Sequence, residues 1–360
     1  MTSTRIIIGT LFLFLLCFKA RAQETDKIRL EQAFRKAQDK YYEFEAKHRR
    51  TINSKNVDLS YLEWGASTNK EFVLVWLHGS LSNAYELAPY AEEFVKVGYR
   101  VLSIDQYNSG KTPLPPFDAS FDDLSEDIKI LLDSLSISQV ILGGFSRGAF
   151  LATNFYKLYP QRLKGLILED GGSVAFKTHY LKLNEDELQQ KLKEVNTSDE
   201  IKEQYFAQHP TKFEAYSSLY DPGDTTNQFE ILSYIRPLGK QWITYYGQPE
   251  YYHMQDSLHM AEAIFDSPNV SKYASSIIKV NPPVVFQNLK VPVLILDAVS
   301  TNDPIPVYEE NKILAEKHAQ WITHVVIDNV EHNIHYTDSQ SFLKIILDFL
   351  KKSYPCKSNL

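Results

Sequence analysis

The strongest constraint on this chain is a rhythm. Six short, almost wholly apolar runs alternate with longer segments of helical period: "FVLVWL" (72–77), "YRVLSID" (99–105), "QVILGGF" (139–145), "LKGLILED" (163–170), "VPVLILDAV" (291–299) and "WITHVVID" (321–328). Runs this short, with little polar alternation, read as strands covered on both faces. The segments between them, "AYELAPYAEEFVKVG", "FDDLSEDIKILLDSL", "RGAFLATNFYKLYP", residues 307–318 and "SQSFLKIILDFLKK", repeat their apolar positions at helical spacing, and Pro160 closes the third. Strand, helix, strand in repetition predicts an α/β fold with a mostly parallel central sheet and helices on both faces.

The pattern is framed by other material. Residues 24–47 carry Ile28, Leu30, Phe34, Tyr41 and Phe44 at helical spacing, and "HRRTINSKNVDLSYLEWG" changes to a period of two, with a turn near "NSKN". Between Gly171 and Leu289 no comparable buried strand occurs, and the stretch is too long for a plain loop. The expected organisation is an N-terminal helical segment over 23–48, a core over 49–172 and 289–352, a mostly helical insertion over 173–288, and a frayed tail over 353–360.

Ahead of all this stands "MTSTR", the apolar run "IIIGTLFLFLLCF" and then "KARA", with Ala20 and Ala22 in the small-residue pattern of a cleavage site. Residues 1–22 are therefore expected to be a signal peptide, and the mature chain to be exported, periplasmic or secreted, from about Gln23. The apolar run is too short to span a bilayer comfortably, so no stable membrane anchor is expected after cleavage. Removing Arg5, Lys19 and Arg21 makes the mature chain more acidic than the formal −7 of the whole, which argues against nucleic acid and anionic membranes as partners. Of the two cysteines, Cys17 and Cys356, only the second survives cleavage, so no internal disulfide is available.

The chemistry concentrates at Gly144-Phe145-Ser146-Arg147-Gly148, a G-x-S-x-G placed directly after a buried strand and directly before a helix. That spacing suits a sharp turn that lifts a serine hydroxyl off the sheet edge, with glycines where a side chain would strike the neighbouring elements. A helix-capping serine in an ordinary glycine-rich turn is the bland alternative. A nucleophilic serine needs a base, an orienting acid and donors for the developing oxyanion. His332, in "NVEHNIHY" between the last strand and the last helix, is the expected base, with His335 as competitor. Asp303, in "VSTNDPIP" after the strand "VPVLIL", is the expected acid, with Asp297 the second choice and Asp170, which ends "LILED", the third.

The order Ser146, Asp303, His332 resembles the triad order of the α/β-hydrolase superfamily. The similarity spans nearly the whole mature chain: "VWLHGS" resembles that family's strand and HG loop, "YRVLSIDQYNSGKTPLP" its D-x-x-G-x-G-x-S/T segment, and "VEHNIHY" its G-H loop, while the insertion falls where members carry a lid. The resemblance implies oxyanion donors at the backbone N–H of Arg147 and of Ser80, with Leu81 as alternate to Ser80. It also implies a serine hydrolase acting on a small-molecule acyl substrate such as a carboxylic ester; the histidines and acids show no H-E-x-x-H or paired-cysteine spacing, so no metal is expected, and no cofactor. An aminopeptidase would need carboxylates such as Glu185, Glu187, Glu230 or Glu250 to hold an ammonium, and a ligand-binding receptor retaining the triad is the non-enzymatic rival. "SGKT" at 109–112 lacks the first glycine of a phosphate-binding loop, since Asp105 stands there. Trp242, Tyr245, Tyr246, Tyr251 and Tyr252 could line a pocket or simply pack the lid. The charged side chain of Arg147, beside the nucleophile, has no task that the sequence reveals.

Overall fold

The computed structural model describes residues 3–66, 72–194, 207–244, 251–254, 256–265, 268–300 and 306–354. They form two compact units, one of residues 1–47 with 207–244 and one of residues 48–206 with 245–360.

The larger unit is built on eight strands: β1 (Arg49–Asn53), β2 (Asp58–Trp64), β3 (Phe72–Leu77), β4 (Tyr99–Ile104), β5 (Val140–Phe145), β6 (Leu163–Glu169), β10 (Val293–Val299) and β11 (Ile322–Asp328), in the spatial order β1-β2-β4-β3-β5-β6-β10-β11. β1 and β2 pair antiparallel, β2 meets β4 antiparallel, and every pairing from β4 to β11 is parallel. The apolar runs explain this arrangement, since all six residues of both β3 and β5 are buried, as strands need to be when helices cover both faces. The helices α2 (Ala88–Lys96), α3 (Phe121–Ser134) and α4 (Arg147–Leu158) follow β3, β4 and β5 in turn. α4 is buried at every residue from Arg147 to Tyr156, so "RGAFLATNFY" can be apolar nearly all round.

The smaller unit contains most of α1 (Ser3–His48), a single unbroken helix that runs through both the expected leader and the expected N-terminal helical segment. Phe34 lies 5.4 Å from Phe213 and 5.2 Å from Tyr216, and Phe44 lies 5.2 Å from Phe229. The same unit holds a three-stranded sheet of β7 (Gln208–His209), β9 (Gln241–Ile243) and β8 (Arg236–Leu238) in that order. The region 173–288 is thus divided between the units and is not wholly helical. Its strands are too short, at two or three residues, to leave an apolar signature in the sequence. Among the described residues no helix is long and apolar enough to cross a membrane.

Of the expected tail over 353–360, Ser353 ends the last helix, and residues 355–360 lie outside the described residues. Tyr354 is 9% exposed and its hydroxyl donates to the Lys164 carbonyl at 2.7 Å, filling the space that Gly165 leaves beside it.

Candidate active site

Ser146 stands between β5 and α4 with φ 49° and ψ −118°, a conformation that costs a non-glycine residue energy and turns the chain abruptly from strand to helix. Its neighbours hold it there. The Ser146 N–H donates to the Glu169 carbonyl at 2.9 Å, and the Ala149 and Phe150 amides donate back to the Ser146 carbonyl at 3.0 and 3.2 Å. A Cβ on Gly144 would meet the Gly148 carbonyl carbon at 2.5 Å, and one on Gly148 would overlap the Leu77 carbonyl oxygen of β3, so both glycines of the motif are steric necessities.

His332 lies in the turn between β11 and the short helix Ile334–Thr337. The Ser146 hydroxyl donates to its Nε2 at 3.0 Å, and its Nδ1–H donates to Asp170 Oδ2 at 2.5 Å. A carboxylate on Nδ1 fixes the tautomer, leaving Nε2 as the acceptor that faces the hydroxyl.

Asp303, the expected acid, falls within 301–305, outside the described residues. Among the described residues the carboxylate that meets His332 is Asp170, the third choice from the sequence and the residue immediately after β6. Asp297 is committed elsewhere, accepting from Asn311 Nδ2 at 3.0 Å and pairing with His324 Nε2 at 2.9 Å. β6 and β10 are adjacent and parallel, with Glu169 opposite Leu296 and the Asp170 N–H donating to the Leu296 carbonyl at 2.9 Å. Neighbouring strand ends lie about 5 Å apart, so a carboxylate leaving either one can reach the same imidazole. The signal for Asp170 in the sequence is an acid closing a buried strand just before Gly171-Gly172. A Cβ on Gly171 would come within 2.8 Å of the Ser146 carbonyl oxygen, which brings that turn against the serine.

His335 is not an alternative base. It is 1% exposed, its Nδ1 and backbone N–H both meet Glu169 Oε1, at 2.8 and 2.9 Å, and Glu86 Oε2 lies 4.0 Å from its Nε2. Burial lowers its pKa, but the Glu169 and Glu86 carboxylates outweigh burial and hold it above the usual histidine value.

The loop after β3 is organised by groups that sequence reasoning passed over. His78, fully buried, accepts from the Gln106 amide on Nε2 at 3.0 Å and donates from Nδ1 to the Gly79 carbonyl at 2.7 Å. Burial lowers its pKa despite nearby Glu86 and Asp105, which keeps the ring neutral as this bonding requires. Glu86 accepts from the Gly79 amide at 3.0 Å and from Trp76 Nε1 at 2.8 Å. Asp105 gathers Arg49 Nη1 at 2.7 Å and the amides of Ala84 and Lys111 at 2.7 and 3.0 Å, so "SGKT" is wrapped around a carboxylate and is no phosphate cradle.

Ser80 and Leu81 follow in a turn, Leu81 at φ 60°. Among the described residues the backbone amides of Ser80, Leu81 and Arg147 donate to no protein acceptor, which leaves them available to an oxygen developing charge at Ser146. Of the proposed ammonium-binding acids, Glu187 accepts from the Asn184 amide and Glu185 from Gln189, on an exposed helix start. Glu230 belongs to the smaller unit, and Glu250 lies outside the described residues. Tyr251 and Tyr252 pack with Tyr273 near Arg147, Trp242 belongs to the smaller unit, and Tyr245 and Tyr246 lie outside the described residues. Among the described residues no cluster of histidine, cysteine and acidic side chains could hold a metal ion.

The sequence profile of the alpha/beta hydrolase fold family matches residues 73–339. The chain belongs to the α/β-hydrolase fold family. A 2-hydroxy-6-oxononadienedioate/2-hydroxy-6-oxononatrienedioate hydrolase of Paraburkholderia phymatum is 36% identical over 104 residues, 28% of this chain and 36% of that one. An sn-1-specific diacylglycerol lipase of Mus musculus is 32% identical over 103 residues, 28% of this chain and 33% of that one. The matched segments thus span about a third of the length of these relatives. Among solved structures, the carboxylesterase CesB of Bacillus subtilis superposes with a TM-score of 0.56 at 18% identity, over 90% of this α/β-hydrolase and 97% of that chain, a likeness of fold.

Proposed function

We propose that this α/β-hydrolase is an exported serine hydrolase that cleaves a carboxylic ester or related acyl compound through an acyl-enzyme on Ser146. The observation that carries the reading is the continuous line from the Ser146 hydroxyl through His332 to Asp170, at 3.0 and 2.5 Å. His332 Nε2 takes the serine proton as the oxygen attacks the substrate carbonyl, then returns it to the leaving alkoxide. Asp170 holds the imidazole in the required tautomer and stabilises its protonated form. The amides of Arg147 and Ser80 face the carbonyl oxygen as it becomes negative, a contribution typically worth about 10²- to 10³-fold per donor. In the second half of the cycle His332 activates water, and the acid leaves.

The partial relatives support an acyl or carbonyl substrate, since a diacylglycerol lipase and a hydrolase of a keto-dioate are both among them. Export is supported by the basic, apolar and small-residue segments of residues 1–22. The deciding experiment treats the mature protein with a fluorophosphonate probe and locates the adduct by peptide mass. Labelling at Ser146, abolished by Ser146→Ala, together with turnover of p-nitrophenyl esters, is the expected result. Absence of both labelling and turnover would sink the assignment. Faster release from aminoacyl amides than from esters would transfer it to an aminopeptidase.

A further inference from the structure

The mechanism uses the backbone of Arg147 and leaves its side chain without a task. That side chain is 4% exposed at the head of α4. Its Nε donates to the Ser80 hydroxyl at 3.0 Å, and its Nη1 lies 3.4 Å from the carbonyl oxygens of both Tyr273 and Ala274. Its guanidinium carbon sits 4.8 Å from the centre of the Tyr252 ring. Among the described residues no carboxylate pairs with it, and its Nη2 makes no hydrogen bond.

Other arginines of the same unit behave differently. Arg49 pairs with Asp105 at 2.7 Å, Arg100 with Glu63 at 2.5 Å, Arg162 with Asp133 at 2.5 Å, and the more exposed Arg50 with Glu63 at 3.7 Å. In a chain with 45 acidic and 38 basic residues, the missing partner is not for want of acids. A buried cation held only by neutral acceptors is costly, and arginine does not escape the cost by losing its proton. Burial lowers its pKa from a very high starting value, and the surrounding Tyr251, Tyr252 and Tyr273 oppose that shift.

A second group beside it is also incomplete. Tyr251 stacks on Tyr273 at 4.9 Å and 19°, and its buried hydroxyl has no hydrogen-bond partner among the described residues. Burial raises its pKa, so it remains a donor. Among the described residues there are therefore a cation without an anion, on the residue that follows the nucleophile, and a donor without an acceptor on a ring stacked against Tyr273, whose carbonyl faces that cation. One carboxylate would complete both.

We infer that Arg147, with the Tyr251 hydroxyl, receives a carboxylate carried by the substrate, so that the preferred substrates are acyl compounds bearing a second, ionised acid group. This rests on the serine-hydrolase reading. The carboxylate is a spectator in the bond changes. Its binding seats the acyl carbon against Ser146.

The test uses two esters that differ by one group, p-nitrophenyl butyrate and mono-p-nitrophenyl succinate, in which a carboxylate replaces the terminal methyl. The readout is the ratio of kcat/KM for succinate over butyrate. The wild-type enzyme is expected to favour the succinate, Arg147→Met to lower the ratio about tenfold or more, and Tyr251→Phe to lower it about threefold. Independently of whether Arg147→Met folds, Tyr251→Phe and competitive inhibition of the wild type by free succinate but not by succinamide provide two further arms. Equal losses on both esters would make Arg147 a strut for the Ser80 loop and overturn the inference, as would a wild-type preference for butyrate. A wild-type protein that turns over neither ester and takes no phosphonate overturns the hydrolase reading, and this inference with it.

Discussion

Two acid–imidazole pairs lie side by side at the end of β6, and only one of them belongs to the candidate site. Glu169 and Asp170 are consecutive, His332 and His335 are three residues apart, and the Phe145 ring stands 4.8 Å from each imidazole. Asp170–His332 leads to a serine hydroxyl, and the His332 side chain is 29% exposed, while Glu169–His335 leads to a second buried acid, and its imidazole is 1% exposed. An acid paired with a histidine is therefore not a catalytic signature in itself. What separates the pairs is a hydroxyl at the far nitrogen and the partial exposure of the imidazole. The inner pair joins the end of β6 to the turn after β11, with the Tyr90 hydroxyl donating to the His335 carbonyl.

The comparison can be broken most sharply at the serine. Ser146→Ala should lower ester turnover by at least about 10⁴-fold and remove phosphonate labelling, with the melting temperature within a few degrees of wild type. Substantial residual turnover would detach the outer pair from catalysis. Asp170→Asn should cost about 10³- to 10⁴-fold in kcat through the wrong tautomer, and more than Asp303→Asn. The reverse order, read from kcat on one ester, would return the acid to Asp303.

The inner pair should answer in stability. His335→Gln leaves Glu169 buried without its imidazole and should cost about 3–5 kcal/mol in denaturant unfolding, with kcat changed far less than by His332→Gln. The pH dependence follows from the raised pKa of His335. Its stabilising charge is fully present below the unfolded value of 6.5 and disappears as pH rises through the higher folded value. The gap between wild type and His335→Gln should therefore narrow on going from pH 6 to alkaline pH, and a widening gap would refute the assignment. The smallest effect is expected of Phe145→Leu, which keeps the apolar separator and loses its ring edges, at about 1 kcal/mol and a few-fold in kcat.

Much of this was legible in the sequence because it follows from local requirements. Apolar runs must be buried, so β3, β5, β6, β10 and β11 could be read directly. Ser146 and His332 could be placed because strand ends of a parallel sheet share an edge. Chain order alone cannot choose between Asp170 and Asp303, which follow two adjacent strands, and only Asp170 lies among the described residues. The short strands β7, β8 and β9 escaped because two or three residues carry no period. The grouping of residues 207–244 with α1 depends on aromatic contacts between segments some 180 residues apart, such as Phe34 with Phe213. The role of Glu169 was hidden for a different reason, since a buried acid at a strand end has no recognisable pattern until its histidine is found.

The glycine contacts across β3 and β5 bear on how such a site can come into being. A Cβ at Gly79 would overlap the Phe145 ring, and one at Gly148 would overlap the Leu77 carbonyl. The HG loop and the serine turn, some seventy residues apart, are thus halves of one interlocking joint. Neither half can hold its working shape unless β3 and β5 are paired, so the ability to react should appear together with the centre of the sheet.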